Sequence, residues 1–146
     1  MVATDLTNII NRVQQMADPD YERARNRIEY YFNNGVREQF QSEGNRFDTP
    51  WHPLQPDYAY WKIRHGHNGG ILVLTGQMRH DACQGEATVE RTWYGAVITY
   101  GTGRNWLIPI HHYGVPQHNL PSRPILNLTR HDLGMIRAFI MEEYLG

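Results

Sequence analysis

Eight histidines raise the question of metal chemistry first. His65-Gly66-His67 sets two imidazoles on alternate residues, and alternate residues of a strand share a face from which both could reach Zn²⁺. His111-His112 is the second pair. Both patterns lack support around them. His65 and His67 sit in a glycine-rich tip that runs to Gly70, and adjacent His111 and His112 diverge in most backbone conformations. Neither pair has an Asp or Glu at ligand spacing. His80-Asp81 is half of a catalytic triad, yet no G-x-S-x-G elbow marks a nucleophile. Cys83, between Ala82 and Gln84, reads as a small buried residue rather than a reactive thiol. Gly101-Thr102-Gly103-Arg104 lacks the Gly-Lys-Ser/Thr ending of a phosphate loop. The residues give no enzyme signature, no metal set and no cofactor motif, so a non-catalytic protein is expected. The alternative from another class is a small metal-dependent hydrolase built on the histidines.

Composition narrows the field. A chain of 146 residues fits one domain with one core. A net charge near −1 gives no bulk attraction to nucleic acid or membrane. A single cysteine excludes an internal disulfide and suits a reducing compartment. The start, MVATDLTNII, has no basic region leading into a long apolar run, so no signal peptide is expected. No apolar stretch approaches the roughly 18 residues that span a bilayer. Of the 14 cationic residues, only Lys62 is lysine and the rest are arginine. Tyr and Trp are also frequent, at nine and four. Arg, Tyr and Trp are enriched where proteins meet, and Lys is depleted there. The bias suggests an interaction protein, although an arginine-favouring genome produces the same pattern.

The elements follow from spacing. Leu6, Ile9, Ile10, Val13, Met16 and Ala17 predict an amphipathic helix. Asp18-Pro19 predicts the start of a second, with Tyr21, Ala24, Ile28, Tyr31 or Phe32, Gly35 and Phe40 inward, ending near Glu43 at Gly44-Asn45. Asn33-Asn34-Gly35 is a candidate kink. Arg23, Arg25 and Arg27 do not share one helix face and read as a solvated side. Residues 46–70, with Pro50, Pro53 and Pro56, read as an irregular, aromatic-rich segment whose Trp51, Leu54, Tyr58, Tyr60 and Trp61 fold onto the core. Ile71 to Leu74 fits a buried strand or tight ledge, followed by a polar turn from Met78 to Asp81. Residues 87–100 predict two strands turning at Tyr94-Gly95. Trp106 to Tyr113 is short and helical or irregular. Pro121 to Leu128 reads as an edge strand. Thr129 and Asp132 form a capping-box pair for a last helix with Leu133, Ile136, Phe139, Ile140 and Tyr144 inward. The expected fold is therefore α+β: a small antiparallel sheet packed with N-terminal helices (1–45) and a C-terminal helix (129–146), with residues 46–70 irregular and 71–128 the sheet.

Four short motifs occur in a telling order: W-x-P-L from Trp51 to Leu54, L-x-x-T-G-x-M from Leu72 to Met78, H-x-x-G from His111 to Gly114, and P-S-R-P-I-L-N-L-T from Pro121 to Thr129. Together they resemble the virion-morphogenesis or tail-completion proteins of Mu-like and related contractile-tailed phages. The resemblance runs from about Val36 to Tyr144. His112 stands where the family often has Gln, and Ser122, Ile125 and Asn127 depart from its proline-rich run. The resemblance implies a tail-terminator-like α+β subunit that assembles as a ring with copies of itself, six being the expected number. Such a ring caps the tail tube, can hold the sheath end, and docks on the head–tail connector; a neck or stopper subunit on the head side is the runner-up. It implies a virion protein assembled in the host cytoplasm, with neither membrane nor sequence-specific nucleic acid as a partner. On this reading Arg123 makes a structural ion pair locking its strand to the core. Arg79 and Arg104 are candidate contacts between subunits. The segments His65 to Gly70, with His65 and His67, and Gly114 to Leu120 are candidate loops that order on assembly.

Overall fold

The computed structural model of the protein describes residues 20–93 and 95–145. The helix expected from Leu6 to Ala17 lies outside the described residues, as do Tyr94 and the side chain of Tyr144.

Helix α1 spans Tyr21–Gln41 and is the spine of the molecule. Its cap is Asp20 rather than Asp18: the Asp20 carboxylate accepts from the Arg23 N–H at 3.0 Å, filling one of the donors a helix start leaves open. Ala24, Ile28, Phe32, Val36 and Phe40, each four residues apart, form its buried stripe. The helix runs unbroken past Asn33. Instead of marking a kink, that side chain donates to the Gly85 carbonyl at 3.0 Å and accepts from the Gly85 N–H and the Tyr100 hydroxyl. Gly44, at φ 100°, turns the chain into the 3₁₀ turn Asn45–Phe47. A Cβ there would overlap the Thr49 carbonyl, so glycine is required.

The irregular segment holds a helix. Pro56 opens α2, Pro56–Arg64, because proline's fixed φ and missing N–H suit a first helical position. Its aromatics do not fold inward: Tyr58, Tyr60 and Trp61 are exposed, and the buried residue is Lys62. Trp51 does join the core. Ile71 to Leu74 forms the ledge and not a strand, since Leu72 has φ 62°, which an extended strand cannot use. The expected polar turn is a short helix, α3, Gln77–Ala82, burying Met78 and Ala82 one turn apart.

The sheet is smaller than the sequence suggests. Strands β1, Glu86–Thr92, and β2, Gly95–Gly101, pair antiparallel from Glu86 opposite Gly101 to Thr92 opposite Gly95, as the hairpin pattern predicts. They are the only strands among the described residues. Two strands alone are marginal in water, and this pair is held by α1, against which both strands pack. Helix α4, Leu107–Tyr113, follows. Residues Gly114 to Leu120 form a closed loop with a 3₁₀ turn, Pro116–His118, and a Val115–Leu120 bridge.

Pro121 to Leu128 forms no strand. Two prolines remove the ladder donors, and side chains take the backbone groups instead. The Pro124 carbonyl accepts from Trp51 Nε1 at 2.7 Å and Gln39 Nε2 at 2.8 Å, and the Ile125 N–H donates to His112 Nδ1 at 3.1 Å. The last helix, α5, is Arg130–Leu145. The capping box forms as expected: the Asp132 N–H donates to Thr129 Oγ1 at 3.1 Å, and the Thr129 N–H to Asp132 Oδ2 at 3.1 Å. Phe139 is buried, whereas Leu133 is half exposed at 52 %. Asp132, one position earlier, takes the inward place because Tyr31 and Arg46 hold it. The result is an α+β fold in which α5, the hairpin and α3 pack around α1. No helix among the described residues is long and apolar enough to cross a membrane.

Candidate functional site

The four motifs, far apart in sequence, meet in one place. Arg123, from the proline-rich run, is the joint. Its Nε donates to the His52 carbonyl at 2.9 Å and its Nη2 to the Pro53 carbonyl at 3.1 Å, within the tryptophan motif. Its backbone N–H donates to the His111 carbonyl at 2.8 Å, within the histidine motif. Trp51 Nε1 closes the circuit on Pro124. The Leu72 to Met78 ledge completes the walls of a groove of about 670 Å³, in the size range of sites that enclose a small ligand or part of a peptide.

Apolar side chains dominate these walls, among them Leu54, Leu72, Leu74, Leu107 and Leu120. Two cations also line it and are almost fully buried: Lys62 is 4 % exposed and Arg123 5 %. Among the described residues Arg123 makes no ion pair of the kind expected of it. It locks its segment through neutral carbonyls, because the nearest acceptors are the backbone of His52 and Pro53. Lys62 Nζ donates to the Gly70 carbonyl at 2.6 Å. Burial pushes the Lys62 ammonium below its ordinary pKa, and the charge of Glu43 works against that shift. Burial likewise lowers Arg123.

His111 lines the same groove, and its Nδ1 is buried with no hydrogen-bond partner. Burial, then the Arg123 charge, pushes the His111 imidazole down, so it is neutral at pH 7. His112 is also lowered by burial. Its Nδ1 accepts from Ile125, which assigns the neutral ring's proton to Nε2. The two adjacent imidazoles thus have separate tasks and do not converge on a common ligand.

His65 and His67 do converge, but on an indole. Trp61 stacks against His65 at 4.4 Å between ring centroids and against His67 at 5.8 Å, with Tyr58 stacked on Trp61 at 5.8 Å. His65 Nδ1 lies 2.7 Å from the Trp61 carbonyl and His67 Nδ1 3.0 Å from that of Leu74. Among the described residues no group of three or more His, Cys, Asp or Glu could hold a metal ion. Cys83 is buried, and burial raises its thiol pKa despite nearby Arg37 and Arg79. Arg79 and Arg104 are both exposed, on α3 and on the chain leading into α4, outside the groove.

Sequence reasoning named Arg123 but missed Lys62 and the Leu54–Leu120 walls. One signal was present: Lys62 is the chain's single lysine. The arrangement suits recognition. It supplies apolar surface, buried positive charge and a buried imidazole nitrogen without a partner, and among the described residues it pairs no nucleophile with a base.

Comparison with curated proteins and with solved structures finds no match. The model of the phage virion morphogenesis family matches residues 2–145, extending the resemblance beyond Val36 to nearly the whole chain. With the four motifs joined around one groove and the match spanning those residues, the chain belongs to the phage virion morphogenesis family, whose role is in building the phage particle.

Proposed function

We propose that this chain completes the phage tail: copies form a ring, expected to be six-fold, that caps the tube and joins the tail to the head connector. A closed ring requires a heterologous contact, in which two different patches of one subunit meet. The observation that carries the reading is a pair of such patches at opposite ends of the hairpin. Trp93, at the tip, is 94 % exposed, and Trp106, beyond the base, is 74 % exposed, with Tyr113 nearby on α4 at 75 %. The base is fixed by Asn105, which donates to Asp81 at 2.8 Å, and by the Gly103 N–H, which donates to the Ala82 carbonyl. Strands of seven residues give the hairpin a length on the order of 20 Å. Exposed aromatics of this size are typical anchors of protein contacts.

In this reading the protein is a structural part of the virion's tail or neck, assembled in the host cytoplasm. The tube, the sheath end and the connector are its neighbours, and catalysis has no part in its role. Arg79 and Arg104 are available for contacts between subunits. Fractionation of purified virions into heads and tails tests the placement. The chain is expected in the tail fraction, at a few copies per particle. Its absence from virions would contradict the proposal and indicate a factor that leaves after assembly.

A further inference from the structure

The groove at the motif junction is short of negative charge. Lys62 and Arg123 line it, both are buried, and among the described residues neither forms an ion pair. Their side chains are held by neutral carbonyls, which leave most of a buried charge uncompensated. No Asp or Glu among the described residues lines the walls. The outer face of the hairpin has acidic groups to spare. Glu86, Thr88 and Glu90 alternate there as exposed residues, while Ala87 between them is buried. Glu90 forms no ion pair among the described residues, and Arg91, on the other face, lies over the Tyr21 ring. Across the strands Glu90 stands opposite Val97, which is exposed, and Trp93 at the tip follows three residues later. Trp106, past the other end of the hairpin, is part of the groove's wall.

We infer that the groove receives the hairpin tip of a second copy of this chain, with the Trp93 indole among its leucines and the Glu90 carboxylate facing the charge of Lys62 and Arg123. The inference rests on the ring proposed above and assigns its two patches to each other. Trp106 belongs both to the exposed patch beyond the hairpin base and to the groove, so a copy that docks on Trp106 covers the groove as well. Leu54, Leu72, Leu74, Leu107 and Leu120 offer the indole the apolar surroundings that it lacks at the tip. Glu90 and Trp93 lie within about 10 Å of each other at strand spacing, so one tip carries both. Once the tip excludes water, a carboxylate near a buried cation gains more than it would on open surface. Tip and groove are different patches of one subunit, so the contact is heterologous and repeats from copy to copy, as a closing ring requires. Both halves of the match, the acidic and aromatic tip and the cationic and apolar groove, are on this chain, which favours a second copy over another virion protein.

The full chain is supplied from a plasmid during infection by a phage lacking the gene, and wild-type chain restoring the titre establishes the assembly role by itself. Photoreactive p-benzoylphenylalanine then replaces Leu74, an exposed residue of the groove's wall. Purified virions are irradiated, and the crosslinked product is digested with trypsin and sequenced. The expected product has twice the mass of the chain and joins the probe to the peptide from Thr92 to Arg104 of a second copy. A link to another virion protein, a link to a different segment of this chain, or no link overturns the inference and leaves the role intact. Gln55, also exposed on the groove, carries the probe in a second variant, so that a failure to assemble with one leaves the other to decide. The expected link from neither position overturns the inference. Glu90→Gln is the second readout. It removes an exposed charge that has no ion pair in its own chain, so the melting temperature is expected to stay at that of the wild type. The yield of the Leu74 link is expected to fall by about tenfold or more. An unchanged yield would overturn the assignment of Glu90 to the groove.

Discussion

The Arg46 guanidinium donates to the Asp132 carboxylate at 3.0 Å, joining the turn after α1 to the first turn of α5 across 86 positions of sequence. Asp132 is fully buried and also accepts from the Tyr31 hydroxyl at 2.6 Å and Thr129 Oγ1 at 2.7 Å. Arg46 lies over the rings of Tyr31 and Phe47 as well. This cluster docks α5 against α1 by hydrogen bonding where Leu133 contributes little burial. Removing one member leaves a buried charge or donor unmatched, which typically costs about 3–5 kcal/mol. Asp132→Ala is expected to destabilise by that amount, read as a lowered urea midpoint.

The same carboxylate predicts a pH dependence. Burial alone would raise the Asp132 pKa, but hydrogen bonds from Tyr31, Thr129 and Arg46 outweigh it and hold the group below its ordinary value. A carboxyl depressed on folding contributes stability that is present above its unfolded pKa and lost as pH falls through the folded value. Urea midpoints measured from pH 7 to pH 3 should fall for the wild type more steeply than for Asp132→Asn. Parallel curves would contradict the assignment.

Gln39 is a fully buried amide at the centre of the core. It donates to Pro124 and to Thr49 Oγ1 at 2.9 Å, and accepts from the Phe47 N–H at 3.0 Å. Gln39→Leu keeps the bulk and strands the Phe47 N–H, at an expected loss of about 2–3 kcal/mol in chemical denaturation. Sequence periodicity does not identify this residue. It falls on α1's apolar side, and its value lies in partners 8 to 85 positions away.

At Gly103 a Cβ would overlap the Asp81 carbonyl, where α3 and the start of α4 meet. The clash is with backbone, which cannot rotate aside. Gly103→Ala is expected to cost at least about 2 kcal/mol, seen as a lower melting temperature.

Trp93→Ser and Trp106→Ser separate folding from assembly. Trp106 is largely exposed, so its change should move stability by less than about 0.5 kcal/mol. Ring formation and head–tail joining should fail, visible as loss of infectious titre when the variant chain is supplied in infection. Full titre with both variants would remove the hairpin ends from the contact.

What the sequence disclosed depended on how local the cause was. The stripe of α1, the capping box at Thr129 and Asp132, and the hairpin around Gly95 are set by neighbours within a few residues, and they are legible. Pro56 misled because a proline that breaks one element is also the favoured opening residue of another. The apolar Ile71 to Leu74 and Pro121 to Leu128 runs have strand-like composition. Whether they pair depends on Leu72's positive φ in one case and on partners supplied by Trp51, Gln39 and His112 in the other. Asn33 reads as a helix weakness and serves as a pin, because Gly85 and Tyr100, more than 50 positions away, supply its partners.

The groove shows the same limit more sharply. Its four walls are the motifs that carry the family resemblance, so its parts were visible in order. That Arg123 is held by carbonyls, and that Lys62 is buried in the wall of the same groove, follows only from the folded arrangement of α2 and the ledge.

Electron microscopy of a lysate made by a phage lacking this gene tests the tail-completing role. DNA-filled heads lying apart from tails, with tails of irregular length, are expected. Intact, joined particles of normal length would contradict it.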